Sequence, residues 1–135
     1  MPFLLKVVVR DEDIDWLGHA NNLAYLRWVQ DAARAHSAAC GLGEAEYRAR
    51  KQSFVVRRHE IEYLRAAFAG EELTVETRVS TMGNASSLRR TRILRGAEVL
   101  VRAATDWAYI DLERARAVRI PEEIKSRFQV EPDPP

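Results

Sequence analysis

The chain opens apolar, turns helical, and then alternates polar with apolar side chains for most of its length. Residues 3–10, Phe-Leu-Leu-Lys-Val-Val-Val-Arg, are rich in β-branched side chains and predict a first strand. Asp11 to Asn22 is dense in acids and also holds a glycine, a histidine and two asparagines, a composition that suits a functional loop. From Asn22 to Cys40, Leu23, Leu26, Val29 and Ala33 recur at spacings of three and four, which predicts a helix with that stripe buried. Asn21 or Asn22 can cap its start, and Gly41 stands where a left-handed stop belongs. Ala24, Ala32, Ala33, Ala35, Ala38 and Ala39 keep the helix slim enough to lie close against a sheet.

A short second helix fits residues 43–52, after which the period becomes two. Segment 53–64 places Val55, Arg57, His59, Ile61 and Tyr63 on one face, and segment 71–81 turns Leu73, Val75, Thr77 and Val79 inward. Segments 86–95 and 98–110 are joined through Arg95-Gly96-Ala97, a tight hairpin. The last of these strands is apolar on both faces, which places it near the sheet centre or at a subunit contact. Pro121 opens a short helix through Phe128, and residues 131–135 read as a frayed tail. The expectation is one α+β domain over residues 1–135, a long helix and a five-stranded antiparallel sheet. One helix cannot cover both faces of such a sheet, so a homodimer, or a dimer of dimers, is expected to cover the rest.

Composition narrows the classes. The chain has 135 residues, 47% hydrophobic and 30% charged, with a formal net charge of +1, so no global field favours nucleic acid or an anionic membrane. Its one cysteine, Cys40, cannot form a disulfide framework or a thiolate metal site within one chain. The apolar start is interrupted by Lys6, too early for a secretory signal, and no stretch approaches the roughly 20 apolar residues of a membrane span. A cytoplasmic protein is expected, without a membrane or nucleic-acid partner. Three scattered histidines lack metal-ligand spacing, and no metal is expected.

The chemistry concentrates in Asp15-Trp16-Leu17-Gly18-His19-Ala20-Asn21-Asn22-Leu23-Ala24-Tyr25, at the entry to the long helix. Asp-x-x-Gly-His-x-Asn-Asn-x-x-Tyr between a strand and an alanine-rich helix resembles the 4-hydroxybenzoyl-CoA thioesterase branch of the hotdog superfamily. It is also similar to the loop of plant acyl-carrier-protein thioesterases. Glu60-Ile-Glu-Tyr63-Leu-Arg and Gly70-Glu-Glu-Leu resemble the later strands of these enzymes, so the likeness spans about residue 5 to residue 112. The resemblance implies a hotdog fold, in which the sheet wraps the helix, and hydrolysis of an aryl or fatty acyl-CoA. It implies Asp15 as general base or nucleophile, His19 and Asn22 as further catalytic groups, and Gly18 with the N–H near Asn22 as the oxyanion loop. Leu17 stands where the plant enzymes carry an asparagine, a departure from their three-residue arrangement.

Thioester hydrolysis needs an activated water or a carboxylate nucleophile, together with donors for the developing oxyanion. A helix N-terminus supplies free N–H groups and a positive dipole end. For substrate binding, Trp16 and Tyr25 are candidates for the acyl group, with Trp28 nearby. Arg58, Arg89 and Arg90, helped by Ser87, are candidates for the phosphates of coenzyme A, because Arg grips phosphate bidentately. Each has a plainer alternative: Asn21 and Asn22 as caps, Tyr25 and Trp28 as packing, the arginines as a solvated strand face. Asp31, the helix's only carboxylate, is a competitor for the catalytic role, more than two turns from the oxyanion donors. No cofactor is required, coenzyme A entering only as part of the substrate. A noncatalytic acyl-thioester binding domain is the alternative from another class, and a hotdog dehydratase a weaker one.

Overall fold

The computed structural model describes residues 1–133. Positions 134 and 135, the end of the stretch expected to fray, lie outside the described residues. In chain order the elements are β1 (Phe3–Val8), α1 (Asn22–Ala39), α2 (Glu44–Arg50), β2 (Gln52–Tyr63), β3 (Glu72–Met82), β4 (Ser86–Arg95), β5 (Glu98–Asp111), β6 (Arg116–Ala117) and α3 (Glu122–Lys125). Among the described residues every pairing between strands is antiparallel, and the sheet runs β1-β3-β4-β5-β2, with β6 added beside the end of β5. The five expected strands are all present, and β6 makes a short sixth.

Register follows the period-two pattern. Leu73, Val75, Thr77 and Val79 of β3 are buried, and Val75, Thr77 and Val79 lie opposite Ile93, Thr91 and Arg89 of β4. Across β4, Thr91 and Arg89 lie opposite Ala103 and Thr105 of β5. These side chains form the inner face, and α1 packs on it over β1 and β3. Fully enclosed Leu73, Val75, Ile93 and Val101 join Ala24, Val29 and Ala32 in one core, each large side chain contributing roughly 1.5–3 kcal/mol by leaving water. A second cluster of Leu42, Val79, Tyr109, Ile120, Ile124 and Phe128 closes the far end of the helix.

Three expectations need correction. The buried face of α1 is Ala24, Tyr25, Trp28, Val29, Ala32 and Ala33, whereas Leu23 is exposed and Leu26 half-buried. The larger aromatics take the core side and displace the leucine stripe by one position. In β2 the pairing register shifts between Val56 and Arg58, so Val56, His59 and Ile61 share the inner face while Val55 turns outward. Residues 130–133 are tied down rather than frayed. Val130 bridges Val79, the Glu131 N–H donates to the Val79 carbonyl at 2.8 Å, and Asp133 accepts from Ser80 and pairs with Arg78 and Arg90. Among the described residues no helix is long and apolar enough to cross a membrane.

Candidate active site

The loop that enters α1 is anchored at its base by Asp13, which is 1% exposed. One Asp13 oxygen accepts from Arg27 of α1 at 2.7 Å, the other from the Arg10 N–H at 2.9 Å, and its carbonyl accepts from the Asn21 N–H at 2.9 Å. Burial pushes the Asp13 carboxyl up, but the Arg10 N–H and the Arg27 guanidinium outweigh it and hold the group below the usual carboxylate range. A bridge between Ile14 and Ala20 then closes the loop into a narrow neck.

Asp15 sits at the start of the turn beyond that neck. Its Oδ1 accepts from the Leu17 N–H at 2.9 Å, its carbonyl from the Gly18 N–H at 3.0 Å, and its own N–H donates to the His19 carbonyl at 3.1 Å. Oδ2 makes no hydrogen bond among the described residues. Gly18 has φ +86°, and a Cβ there would meet nothing within 4 Å, so glycine is needed for the backbone conformation and not for space. His19 Nδ1 lies 3.2 Å from the Ala20 carbonyl. A carbonyl can only accept, so Nδ1 carries a proton, and in the neutral ring Nε2 is the nitrogen with the lone pair.

Of the paired asparagines, Asn21 is the cap. Its side-chain oxygen accepts from the Ala24 N–H at 2.9 Å, while Asn22 is the exposed first residue of α1. The N–H groups of Asn22 and Leu23 have no acceptor among the described residues, as the first turn of a helix requires. One loop therefore brings together a carboxylate oxygen, an imidazole and unpaired helix N–H donors. Trp16, next in the chain after Asp15, is 91% exposed, and Leu17 and Leu23 are exposed as well.

The remaining candidates lie elsewhere. Tyr25 is buried, its hydroxyl accepts from the Ala67 N–H at 2.9 Å, and its ring packs on Trp28 and Tyr63, each 5.5 Å away. Burial raises its hydroxyl above the ordinary tyrosine range and outweighs the opposing pull of the Ala67 N–H and Arg95. Adjacent residues of a strand point to opposite faces, and this divides the arginines. Arg58 and Arg90 are outside, paired with Glu60 at 3.1 Å and Asp133 at 2.8 Å. Arg89 is inside, 6% exposed, and Ser87 beside it donates to the Thr81 carbonyl at 2.8 Å. Within one protomer the expected phosphate cluster of Arg58, Ser87, Arg89 and Arg90 is not assembled. Asp31 is held by Arg34 at 3.8 Å on the flank of α1.

A cavity of about 1130 Å³ lies between α1, α2 and β2, lined by Ala33, Ser37, Tyr47, Phe54, Arg89 and Trp107 among others, with no residue of the 15–21 loop in its wall. α1 rests on β1 and β3 while α2 packs on β2, and the cavity opens between the two helices. The sequence offers Asp13 only as a residue that caps or tightens the turn, since its partner Arg27 is 14 positions away and no local spacing links a loop acid to a mid-helix base. Among the described residues no group of three or more His, Cys, Asp or Glu is placed to hold a metal ion.

Comparison with known proteins follows the same lines. Residues 9–128 match the model of the thioesterase-like superfamily. The chain is 30% identical over 127 residues to the acyl-CoA thioesterase YbgC of Haemophilus influenzae, covering 93% of each chain. Among solved structures it is similar to a probable thioesterase from Bartonella henselae (26% identity, 90% and 100% of the two chains, TM-score 0.84). A hypothetical protein from Thermus thermophilus is similar at 25% identity, covering 93% and 95% of the two chains with a TM-score of 0.86. The sheet curled about α1 is the hotdog fold.

Proposed function

The chain belongs to the thioesterase-like superfamily, and from that premise we propose that it hydrolyses an acyl-CoA thioester to the free acid and coenzyme A, with Asp15 as the reacting carboxylate. The observation that carries this reading is the Asp15 side chain, with one oxygen fixed by the Leu17 N–H and the other unpaired, on the loop that ends in the free N–H groups of Asn22 and Leu23. As base, Asp15 takes a proton from water while the hydroxyl adds to the thioester carbonyl. As nucleophile, its oxygen adds directly and water later cleaves the resulting anhydride. In both routes negative charge grows on the carbonyl oxygen, the C–S bond breaks, and the thiolate leaves and takes up a proton. Helix N–H donors aimed at that oxygen are worth about 3 kcal/mol each in the transition state. His19, with its free Nε2, is suited to hold or pass a proton beside the carboxylate.

The reading includes a homodimer with the site at its interface. β2 is an edge of the sheet, 12 residues long, and pairs only with β5. Antiparallel pairing of β2 with its copy sets the Phe54 end of one strand beside the Tyr63 end of the other. Tyr63 packs on Tyr25 in the first turns of α1, so the partner's catalytic loop then faces this protomer's cavity. Trp16 and Leu17 supply an apolar surface for the partner or the acyl group. Coenzyme A enters only as part of the substrate, with no further cofactor.

Free-thiol release from a panel of aryl, short-chain and long-chain acyl-CoAs tests the activity. Turnover of at least one member is the expected result. Binding of acyl-CoA with no thiol released across the panel contradicts hydrolysis and leaves a binding domain.

A further inference from the structure

The floor of the large cavity holds a charge that the protein itself does not neutralise. Arg89 Nη1 donates to His36 Nδ1 at 2.9 Å and to the Thr77 hydroxyl at 3.0 Å, both neutral partners. Its Nε and Nη2 make no hydrogen bond among the described residues, and no carboxylate of those residues lies within 4.0 Å of it. Cys40 and Tyr47 are close enough to feel the charge, but burial pushes both groups up, so they stay protonated and offer no counter-charge. A buried cation without a partner is costly, and chains that keep one do so where something completes it.

The surroundings state what that partner is. The Nε and Nη2 donors of an arginine form a planar fork matched to the two oxygens of a carboxylate. Trp107, which lines the cavity, has a buried Nε1–H without an acceptor among the described residues, and the Tyr109 hydroxyl two residues on is likewise buried and unpaired among them. The wall between floor and mouth is apolar, built from Leu42, Phe54, Val56, Val79, Met82 and Phe128. At the mouth stand Arg34 and Arg48, with Glu44 the only lining carboxylate among the described residues, already paired with Arg48 at 2.8 Å.

We propose that this cavity binds a carboxylate carried on an apolar body, with the Nε and Nη2 of Arg89 holding the carboxylate and the apolar wall holding the body. Two sources share that chemistry. The carboxylate belongs either to the far end of the acyl chain of a thioester substrate, or to a free carboxylic acid of the kind that hydrolysis releases. The first source rests on the thioesterase reading; the binding itself does not.

Titration calorimetry with octanoate and 1-octanol tests the site directly. The wild-type protein is expected to bind octanoate at least tenfold more tightly than 1-octanol, and Arg89→Gln to erase that preference. Ala38→Trp, at an exposed position on the cavity's rim that leaves Arg89 in place, is expected to abolish binding of both and covers the case in which Arg89→Gln does not fold. Equal affinity for the two probes, no binding of either, or octanoate binding that survives Ala38→Trp overturns the proposal. Hydrolysis separates the sources. A tenfold or greater kcat/KM preference for the half-thioester of octanedioic acid over octanoyl-CoA, lost in Arg89→Gln, assigns the carboxylate to the substrate. Octanoate binding without that preference assigns it to a free acid. Octanoate binding is measured without turnover, so absence of thiol release across the acyl-CoA panel counts against the thioesterase reading and leaves the binding result standing.

Discussion

Arg89 Nη1 donates to His36 Nδ1 across 2.9 Å, which fixes His36 as a neutral imidazole with its proton on Nε2. The ring stacks on Phe3 at 5.2 Å and meets the edge of Phe128 at 5.6 Å. Burial, and then the Arg89 charge, lower its pKa to about 4. The unfolded chain takes up this proton near pH 6.5 and the folded chain does not. Stability is therefore intact above that value and falls as the pH drops from about 6.5 towards 4, by a total on the order of 3 kcal/mol. Urea midpoints at pH 7, 5.5 and 4.5 should show this slope in the wild type and a shallower one in His36→Gln. Equal slopes in the two proteins contradict the assignment.

Asp13 should behave as a positioning residue for the loop that carries Asp15. It is enclosed, and its carboxylate answers both the Arg10 N–H and Arg27. Asp13→Ala takes the acceptor from the Arg10 N–H and from Arg27 and is expected to cost about 2 kcal/mol. A double-mutant cycle with Arg27→Met should return a coupling of about 1 kcal/mol. Additive effects in urea denaturation would remove the pair from the account.

The two asparagines separate structure from chemistry. Asn21→Ala should cost about 1 kcal/mol of stability, because the cap on the Ala24 N–H is lost, and Asn21→Asp should cost almost nothing. Asn22→Ala removes an exposed side chain at the first helical position and should leave thermal stability unchanged. A slower reaction in Asn22→Ala at unchanged stability therefore reports a catalytic contribution. Loss of stability there, or none in Asn21→Ala, contradicts the assignment of roles.

Much of this arrangement is legible in the amino-acid sequence because the relevant physics is local. Alternation in residues 71–81 becomes β3 with the expected four side chains inward, and the Gly96 hairpin joins β4 to β5. The loop motif falls at the entry to α1, and Gly18 takes the positive φ its place in the turn demands. What is not legible depends on distant partners. Nothing local tells that Tyr25 and Trp28 outcompete Leu23 for the core, since their sites are shaped by Tyr63 and Ala67 on other elements. The register shift after Val56 reverses the faces of β2 without a glycine or proline to mark it. Arg89 and Arg90 look equivalent in a basic run, yet one turns into the interior and the other meets Asp133 from the chain's end. The prolines flanking Asp133 suggest a loose tail, and only the waiting Arg78, Ser80 and Arg90 show why it is held.

The central claim is that the unpaired oxygen of Asp15 does the chemistry. The most direct test is thiol release by wild type and Asp15→Asn on whichever acyl-CoA the wild type turns over best. The amide keeps an oxygen to accept from the Leu17 N–H, so the loop should hold its shape and thermal stability should match the wild type. The account predicts a loss of kcat/KM of about 100-fold or more, roughly 2.7 kcal/mol of transition-state stabilisation, with acyl-CoA still bound. Equal activity in the two proteins would contradict it and move the reacting carboxylate elsewhere, to Asp31 first.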